Sequence, residues 1–287
     1  MSQDWADDIA QKLISQNLIQ AGTCLILGAA DTGKTTLAAA LTKQLASGQP
    51  IGIVDADIGQ SHIGPPTTVG WAVVTNPSQV DFSQLPAAGI SFVGDVTPVG
   101  HLLQLTAAII QSVRQASKVT ELVIVDTLGF ISSPAASALW WTVQRVLNPK
   151  LILAVQRGTE LSDILAGLRH FDSHLELIKC PPQIRTKSPE ERRKYRQDRF
   201  NKYFLGSTLH TIKLGDVAVQ STQDLSRNSP LSRLVGLRSK QGVDIAVGII
   251  KDWHSDKNIV VVRTPKIDIR EICCLIIGDV TIDIIES

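Results

Sequence analysis

Leu25-Ile26-Leu27-Gly28-Ala29-Ala30-Asp31-Thr32-Gly33-Lys34-Thr35-Thr36 is the stretch on which the reading of this chain turns. It fits the phosphate-binding pattern G-x-x-x-x-G-K-[ST] at every fixed position. An apolar run, Cys24 to Leu27, precedes it, and an Ala/Leu-rich helical segment, Leu37 to Leu45, follows it. Backbone N–H groups of the loop and of the helix start have no partner within the helix, and the helix dipole favours negative charge there, so these donors would face phosphates. Gly28, Ala29, Ala30, Asp31, Thr32, Gly33, Lys34, Thr35 and Thr36 are therefore the expected nucleotide-binding residues. Lys34 would reach the β- and γ-phosphates, and the Thr35 hydroxyl would hold Mg²⁺.

The bulk numbers describe an ordinary globular chain. Its 287 residues are 44% hydrophobic and 19% charged, enough for a full core in one large or two modest domains. A net charge of +1 gives no whole-molecule field for nucleic acid, so any such affinity needs a local basic patch. The cysteines Cys24, Cys180, Cys273 and Cys274 lack C-x-x-C spacing and suit neither a disulfide framework nor a zinc site, which points to reduced thiols and a cytoplasmic protein. Asp4, Asp7 and Asp8 exclude a secretory signal at the start, and no apolar run reaches membrane-spanning length.

Outward from the loop, the pattern alternates. Residues 4 to 18 place Trp5, Ile9, Leu13 and Ile14 at helical spacing. Ile51-Gly52-Ile53-Val54-Asp55-Ala56-Asp57 reads as a buried strand delivering two acidic residues at its C-terminal end, the edge where ligands of open α/β sheets gather. Trp71 to Val74 and Ile90 to Val93 are further strands, the second ending in Gly94-Asp95-Val96-Thr97-Pro98. A helix is expected over 101–117, then Leu122-Val123-Ile124-Val125-Asp126, an apolar strand whose terminal carboxylate would handle Mg²⁺ or its water. A helix over 134–147 and a strand over 151–155 continue the series. The fold class is α/β, a mostly parallel sheet flanked by helices, with the core over residues 1–180.

The segment 184–204 holds eight Lys/Arg against three acidic residues. Ser188 and Glu191 form a capping box and Pro189 occupies the first helical position, so a helix starts there, with Arg192, Arg196 and Arg199 on one face. Guanidinium forks match phosphate oxygens, and beside a nucleotide site this helix reads as an arginine lid over residues 181–206. Residues 207–287 switch to short β-type runs, a small β-rich module or an extension of the main sheet.

Taken in order, the phosphate loop with Asp31, Asp55-x-Asp57-x-Gly59-Gln60, Gly94-Asp95-x-Thr97-Pro98, Asp126-Thr127-x-Gly129-Phe130 and the Arg-rich helix ending in Tyr203-Phe204-x-Gly206 resemble the RNA 5′-hydroxyl polynucleotide kinases, the group that includes the pre-mRNA cleavage factor kinase subunit and the ribosomal-RNA-processing kinases. The resemblance covers residues 22 to about 206. It implies an ATP/Mg²⁺-dependent transfer of the γ-phosphate to a nucleic-acid 5′-hydroxyl, RNA favoured, with no membrane and no assigned protein partner. It implies Asp57 as general base and Mg²⁺-shell group beside Thr35 and Asp126, Gln60 in metal or phosphate positioning, and Thr97-Pro98 with Phe130 clasping the terminal nucleotide. Arg196 ranks first among the lid arginines, with Arg192, Arg193 and Arg199 behind it. Two positions depart from the family: Phe130 stands where Trp is usual, and Asp126 where Asn is usual. The stretch before Gly22 leaves no room for the large N-terminal β-domain of the eukaryotic relatives.

The alternatives are a phosphate-loop ATPase or GTPase that switches a partner without phosphotransfer to nucleic acid, and a small-molecule kinase. Guanine specificity has little support, because Thr42-Lys43-Gln44-Leu45 lacks the Asp of an N/T-K-x-D sequence. RNA or DNA, and ATP or GTP, stay open at this stage. All the readings share one consequence: Lys34→Ala abolishes nucleotide binding, as measured by titration calorimetry with ATP, and retained tight binding would remove the loop from its assigned role.

Overall fold

The computed structural model describes residues 2–225 and 227–282. In chain order its elements are α1 (Ser2–Ser15), β1 (Gly22–Gly28), α2 (Lys34–Leu45), β2 (Ile51–Asp55), β3 (Thr68–Val74), β4 (Gly89–Phe92), α3 (Leu102–Ala116), β5 (Leu122–Asp126), α4 (Pro134–Leu147), β6 (Leu151–Gln156), α5 (Ser162–Leu168), β7 (His174–Lys179) and α6 (Pro189–Phe204). After α6 come β8 (Thr208–Lys213), β9 (Ala218–Ser221), β10 (Arg233–Ser239), β11 (Asp244–His254), β12 (Ile259–Thr264) and β13 (Ile272–Thr281).

The apolar runs around the phosphate loop are strands covered on both faces, which is why they read as continuous hydrophobic stretches. Alternate side chains go to opposite sides. Leu25, Leu27, Val123, Val125, Ile152 and Ala154 pack with α3, α4 and α5, whereas Cys24, Ile26, Ile51, Ile53, Ile124 and Leu153 pack with α1 and α2. The strands β7-β6-β1-β5-β2 are all parallel, and β3 and β4 continue the sheet antiparallel. This order brings the ends of β1, β2 and β5 together at one edge.

The C-terminal strands extend the same thirteen-stranded sheet. β11 meets β4 at a single register pair, Asp244 with Ile90, and β10, β13 and β9 follow outward, while β12 pairs with β11 and β8 with β12. The Asp244 carboxylate reinforces the joint, accepting from the Phe92 N–H at 2.7 Å and from Arg238 Nε at 2.7 Å. Among the described residues no helix is long and apolar enough to cross a membrane. The four cysteines are free thiols.

Three elements are absent from the sequence-based reading. β7 is an edge strand with mostly exposed or half-buried positions, so it lacks an apolar run, and α5 spans only two turns. β10 is interrupted by Gly236, which looks like a turn residue and is a packing residue instead. A Cβ there would lie 2.5 Å from Cδ1 of the buried Phe92 ring. Gly236→Ala is expected to destabilise the fold by about 1–3 kcal/mol, the usual range for overpacking, read from the urea midpoint at constant slope. A neutral effect would mean that Phe92 turns aside freely.

Candidate nucleotide and acceptor site

The phosphate loop leaves β1 at Gly28, where a Cβ would lie 2.5 Å from the Val155 carbonyl and 2.8 Å from Thr32 Oγ1, so the loop can leave the sheet only over a bare backbone. Asp31 and Gly33 then adopt left-handed conformations, with φ of 55° and 93°, and α2 begins at Lys34. Thr32 Oγ1 donates to the Ala29 carbonyl at 2.9 Å, and Lys34 Nζ donates to the same carbonyl at 2.6 Å. Burial depresses the Lys34 ammonium, and Asp126, Asp57 and Asp31 oppose that effect.

Thr35 joins the loop to β5. Its hydroxyl donates to Asp126 Oδ2 at 2.5 Å, while Asp126 Oδ1 is buried with no hydrogen-bond partner. Burial, with Asp55 beside it, pushes the Asp126 carboxyl up to about 7. A hydroxyl and a carboxylate with a free buried oxygen form a hard-oxygen donor pair of the kind Mg²⁺ takes.

The two acidic residues at the end of β2 have different surroundings. Asp55 is buried, and its carboxylate accepts from the backbone N–H groups of Asp57 (3.1 Å), His62 (2.5 Å) and Ile63 (3.0 Å). It folds the 57–63 segment back on itself. Asp57 is half-buried and uses only Oδ1 to receive Gly59 N–H and Gln60 N–H, at 3.1 and 2.9 Å. Of the two, only Asp57 lines the cavity of about 370 Å³ that the phosphate-loop residues Ala30 to Thr36 also line. Gln60, His62, Thr127, Lys187 and Arg192 share that wall.

The lid is α6. Its start is the capping box read from the sequence, with Ser188 Oγ accepting from Glu191 N–H at 3.2 Å and Glu191 Oε2 accepting from Ser188 N–H at 2.7 Å. Its far end is fixed by Phe200 and Phe204, which are buried among Ile90, Phe92, Leu234 and Val247, and by Tyr203 Oη, which accepts from Val247 N–H at 2.9 Å. Between these anchors the helix grips the loops below. Arg192 pairs with the Asp31 carboxylate, Lys187 Nζ reaches Gln60 Oε1 at 3.4 Å, and Tyr195 Oη donates to the Ser61 carbonyl at 3.1 Å.

The four lid arginines therefore occupy four settings. Arg192 lines the cavity. Arg199 is committed to backbone carbonyls, donating to His62 (2.5 Å), Gly64 (2.8 Å) and Ser83 (3.0 Å). Arg193 lines a separate surface groove with Glu190, Gln197 and Asp198. Arg196 is half-buried and, among the described residues, makes no hydrogen bond or ion pair. Burial and the guanidiniums of Arg193 and Arg192 lower its proton affinity, and Asp57 acts in the opposite sense, so its charge lies within reach of the Asp57 carboxylate.

Thr97, Pro98 and Phe130 do not line the cavity; they flank it. A Cβ on Gly59 would lie 2.9 Å from the Val96 carbonyl, so the 95–98 segment sits directly on the Asp57 turn. A Cβ on Gly129 would lie 2.3 Å from the Ala30 N, which seats Phe130 beside the phosphate loop, and Trp140 Nε1 holds the Phe130 carbonyl at 2.8 Å. Sequence reasoning missed His62, Lys187, Tyr195 and Arg157. His62 lines the cavity with its Nδ1 buried and without a hydrogen-bond partner, its ring 5.6 Å from that of Tyr195, and burial lowers its proton affinity. Arg157 Nη2 donates to the Asp31 carbonyl at 2.5 Å. Only His62 had a local signal, its position directly after Gly59-Gln60-Ser61.

A polyribonucleotide 5′-hydroxyl-kinase of Pyrococcus horikoshii is 32% identical over 216 residues, 75% of this chain and 58% of the relative. One of Pyrococcus abyssi is 32% identical over 208 residues, 72% of this chain and 57% of the relative. The polyribonucleotide 5′-hydroxyl-kinase Clp1 of Xenopus tropicalis is 26% identical over 197 residues, 63% of this chain and 44% of the relative. The chain thus spans less than two thirds of the length of these relatives. The solved structure of Clp1p in a Clp1p–Pcf11p complex has the same fold, with a TM-score of 0.67 at 12% identity, covering 96% of this chain and 77% of that one. Residues 28–206, which carry the phosphate loop, the two acidic strands and the arginine-rich helix, match the model of the mRNA cleavage and polyadenylation factor CLP1 P-loop, and the chain belongs to that family.

Proposed function

We propose that the protein is an ATP-dependent polynucleotide 5′-hydroxyl kinase that transfers the γ-phosphate to the 5′-OH of RNA. The observation that supports this most directly is the Asp57 carboxylate, which faces the same cavity as Lys34, Thr35 and the loop N–H groups. A nucleotide switch needs no carboxylate at that position, whereas a kinase needs a base within reach of an acceptor hydroxyl. The archaeal relatives named above are polyribonucleotide 5′-hydroxyl-kinases, which favours RNA over a small-molecule acceptor.

In this reading the loop N–H groups and Lys34 bind the β- and γ-phosphates. Asp57 takes the proton of the 5′-hydroxyl as the oxygen forms its bond to the γ-phosphorus and ADP leaves with the bridging oxygen. Gly59 and Gln60 N–H groups fix Asp57 by holding Oδ1, and Gln60 lies beside it on the cavity wall. Thr35 and Asp126 would hold Mg²⁺, with Asp57 at its shell, and the ion would supply charge neutralisation on the phosphate oxygens. Arg192 and Arg196 add positive charge from above, where phosphoryl transfer depends more on positioning and electrostatics than on covalent chemistry. Thr97, Pro98 and Phe130 flank the acceptor end, and the Phe130 ring offers a face for base stacking.

The direct test supplies labelled ATP, Mg²⁺ and short 5′-OH oligonucleotides, RNA and DNA in parallel; labelled RNA is the expected product. Asp57→Asn is expected to keep ATP binding and to cut transfer by at least about 100-fold, the scale of general-base catalysis. An unchanged rate removes Asp57 from the mechanism. The lid arginines separate by readout. Arg196→Ala lowers kcat with ATP affinity and melting temperature little changed, because no bond of the ground state is lost. Arg199→Ala, which leaves the His62 and Gly64 carbonyls without this donor and the Ser83 carbonyl with Lys202 alone, lowers stability by about 1–3 kcal/mol in chemical unfolding.

A further inference from the structure

Asp279, in β13 of the C-terminal region, ties down both ends of the 94–101 segment that bears Thr97 and Pro98. At one end its backbone N–H donates to the Gly94 carbonyl at 2.9 Å. The approach is close enough that a Cβ on the adjacent Gly278 would lie 2.5 Å from that carbonyl oxygen. At the other end its carboxylate Oδ2 lies 3.1 Å from Nε2 of His101, which is only 6% exposed and precedes the first turn of α3. Within the segment, Asp95 Oδ1 accepts from Thr97 N–H at 2.8 Å and His101 N–H donates to the Pro98 carbonyl at 3.0 Å, so the chain between the two ties is a compact turn.

Asp279 is itself held. Gln223 Nε2 donates to Oδ1 at 2.7 Å, and Thr222 Oγ1 lies 3.4 and 3.3 Å from Oδ1 and Oδ2. Arg233 Nη1 sits 3.8 Å from Oδ1, and Arg233 Nη2 donates to Gln223 Oε1 at 2.5 Å. Asp95, His101 and Asp279 bring potential ligand atoms within 4.8 Å of one another, but the Arg233 guanidinium already supplies the positive charge a metal ion would bring, and His101 is engaged by Asp279 and by the Val99 carbonyl at 3.3 Å. The cluster is a hydrogen-bonded brace.

We infer that Asp279 is a positioning residue for the nucleic-acid acceptor: through His101 it holds the Thr97-Pro98 turn against the Asp57 loop, so the C-terminal region takes part in binding the 5′ end without touching it. This rests on the kinase reading given above. The segment meets the Asp57 turn through the Val96 carbonyl over Gly59, so a loosened turn displaces the acceptor before it alters the nucleotide.

The test is steady-state transfer by the full chain, with the 5′-OH RNA oligonucleotide and ATP varied separately. Asp279→Asn keeps the backbone tie and removes the charge that holds His101. It is expected to raise KM for RNA about tenfold while KM for ATP stays within about twofold, and His101→Ala gives the same split. The double variant is no worse than either single one, because both remove one interaction. If Asp279→Asn proves unstable, His101→Ala gives the same reading independently. Asp268→Asn, an exposed residue of the same region whose carboxylate bonds Arg270 and, among the described residues, no other side chain, is the control and moves neither constant. Unchanged KM for RNA, equal rises in both constants, or additive losses in the double variant overturn the proposal while wild-type transfer stands. Absence of transfer by the wild type overturns the kinase reading, and this inference with it.

Discussion

The site depends on a carboxylate that never reaches the cavity. Asp55 is buried at the end of β2 and accepts three backbone N–H groups, from Asp57, His62 and Ile63. Removing a carboxylate from water costs several kcal/mol unless donors replace the lost hydration, and each charge-assisted bond to a backbone N–H returns about 1.5–3 kcal/mol. Burial and the neighbouring Asp57 nonetheless push the Asp55 carboxyl up to about 7. The bonds fold residues 57–63 into a tight return that leaves Asp57 facing the cavity wall, with His62 and Gln60 alongside. Asp57, the base of the proposed reaction, is thus positioned by a carboxylate that does not line the cavity.

The lid obeys a similar division. Helix periodicity places Arg192, Tyr195, Arg196 and Arg199 over the loops, but their surroundings give each a separate role. Arg199 and Tyr195 meet backbone carbonyls of the 61–64 segment, Arg192 meets Asp31, and the Arg196 guanidinium has no hydrogen-bond or ion-pair partner among the described residues. Phe200 and Phe204 seat the C-terminal half of α6 on the β11 side of the sheet, so the helix is anchored where it is apolar and grips where it is charged. A charge run with no partners would be a solvated face; here half-burial and the carbonyls beneath it assign each side chain.

What was legible in the sequence was local. The phosphate loop, the acidic ends of β2 and β5, the capping box at Ser188 and the apolar alternation of the core strands all follow from rules that act within a few residues. The ranking of Asp57 and Arg196 came from resemblance. The remainder depends on contacts between distant residues. No local pattern says that Arg199 meets the carbonyl of His62 or that Lys187 reaches Gln60, since these pairs are separated by more than a hundred positions. Gly236 is the sharpest case: it reads as a strand breaker until Phe92, from the other half of the chain, is seen in its Cβ space. His62 was passed over for a related reason, because an isolated histidine has no meaning until the loop that carries it is folded.

The joint between the core and the C-terminal strands is narrow in backbone terms, one register pair, and is strengthened by side chains. Asp244 offers its carboxylate to the Phe92 N–H and to Arg238, Gly278 approaches Gly94, and the two aromatic residues of α6 fill the space between. All of these contacts converge within a few residues of the end of β4, where the Gly94-Asp95-Val96-Thr97-Pro98 turn begins. A joint built there links the C-terminal strands to the Gly94-to-Pro98 turn, whereas the phosphate loop, seated between β1, β5 and α2, meets them through α6, whose Arg192 pairs with Asp31 and whose Phe200 and Phe204 pack against β11. In the proposed reaction the phosphate loop after β1 and the Thr97-Pro98 turn after β4 belong to different parts of one continuous sheet, which is the physical basis for separating nucleotide from acceptor by mutation.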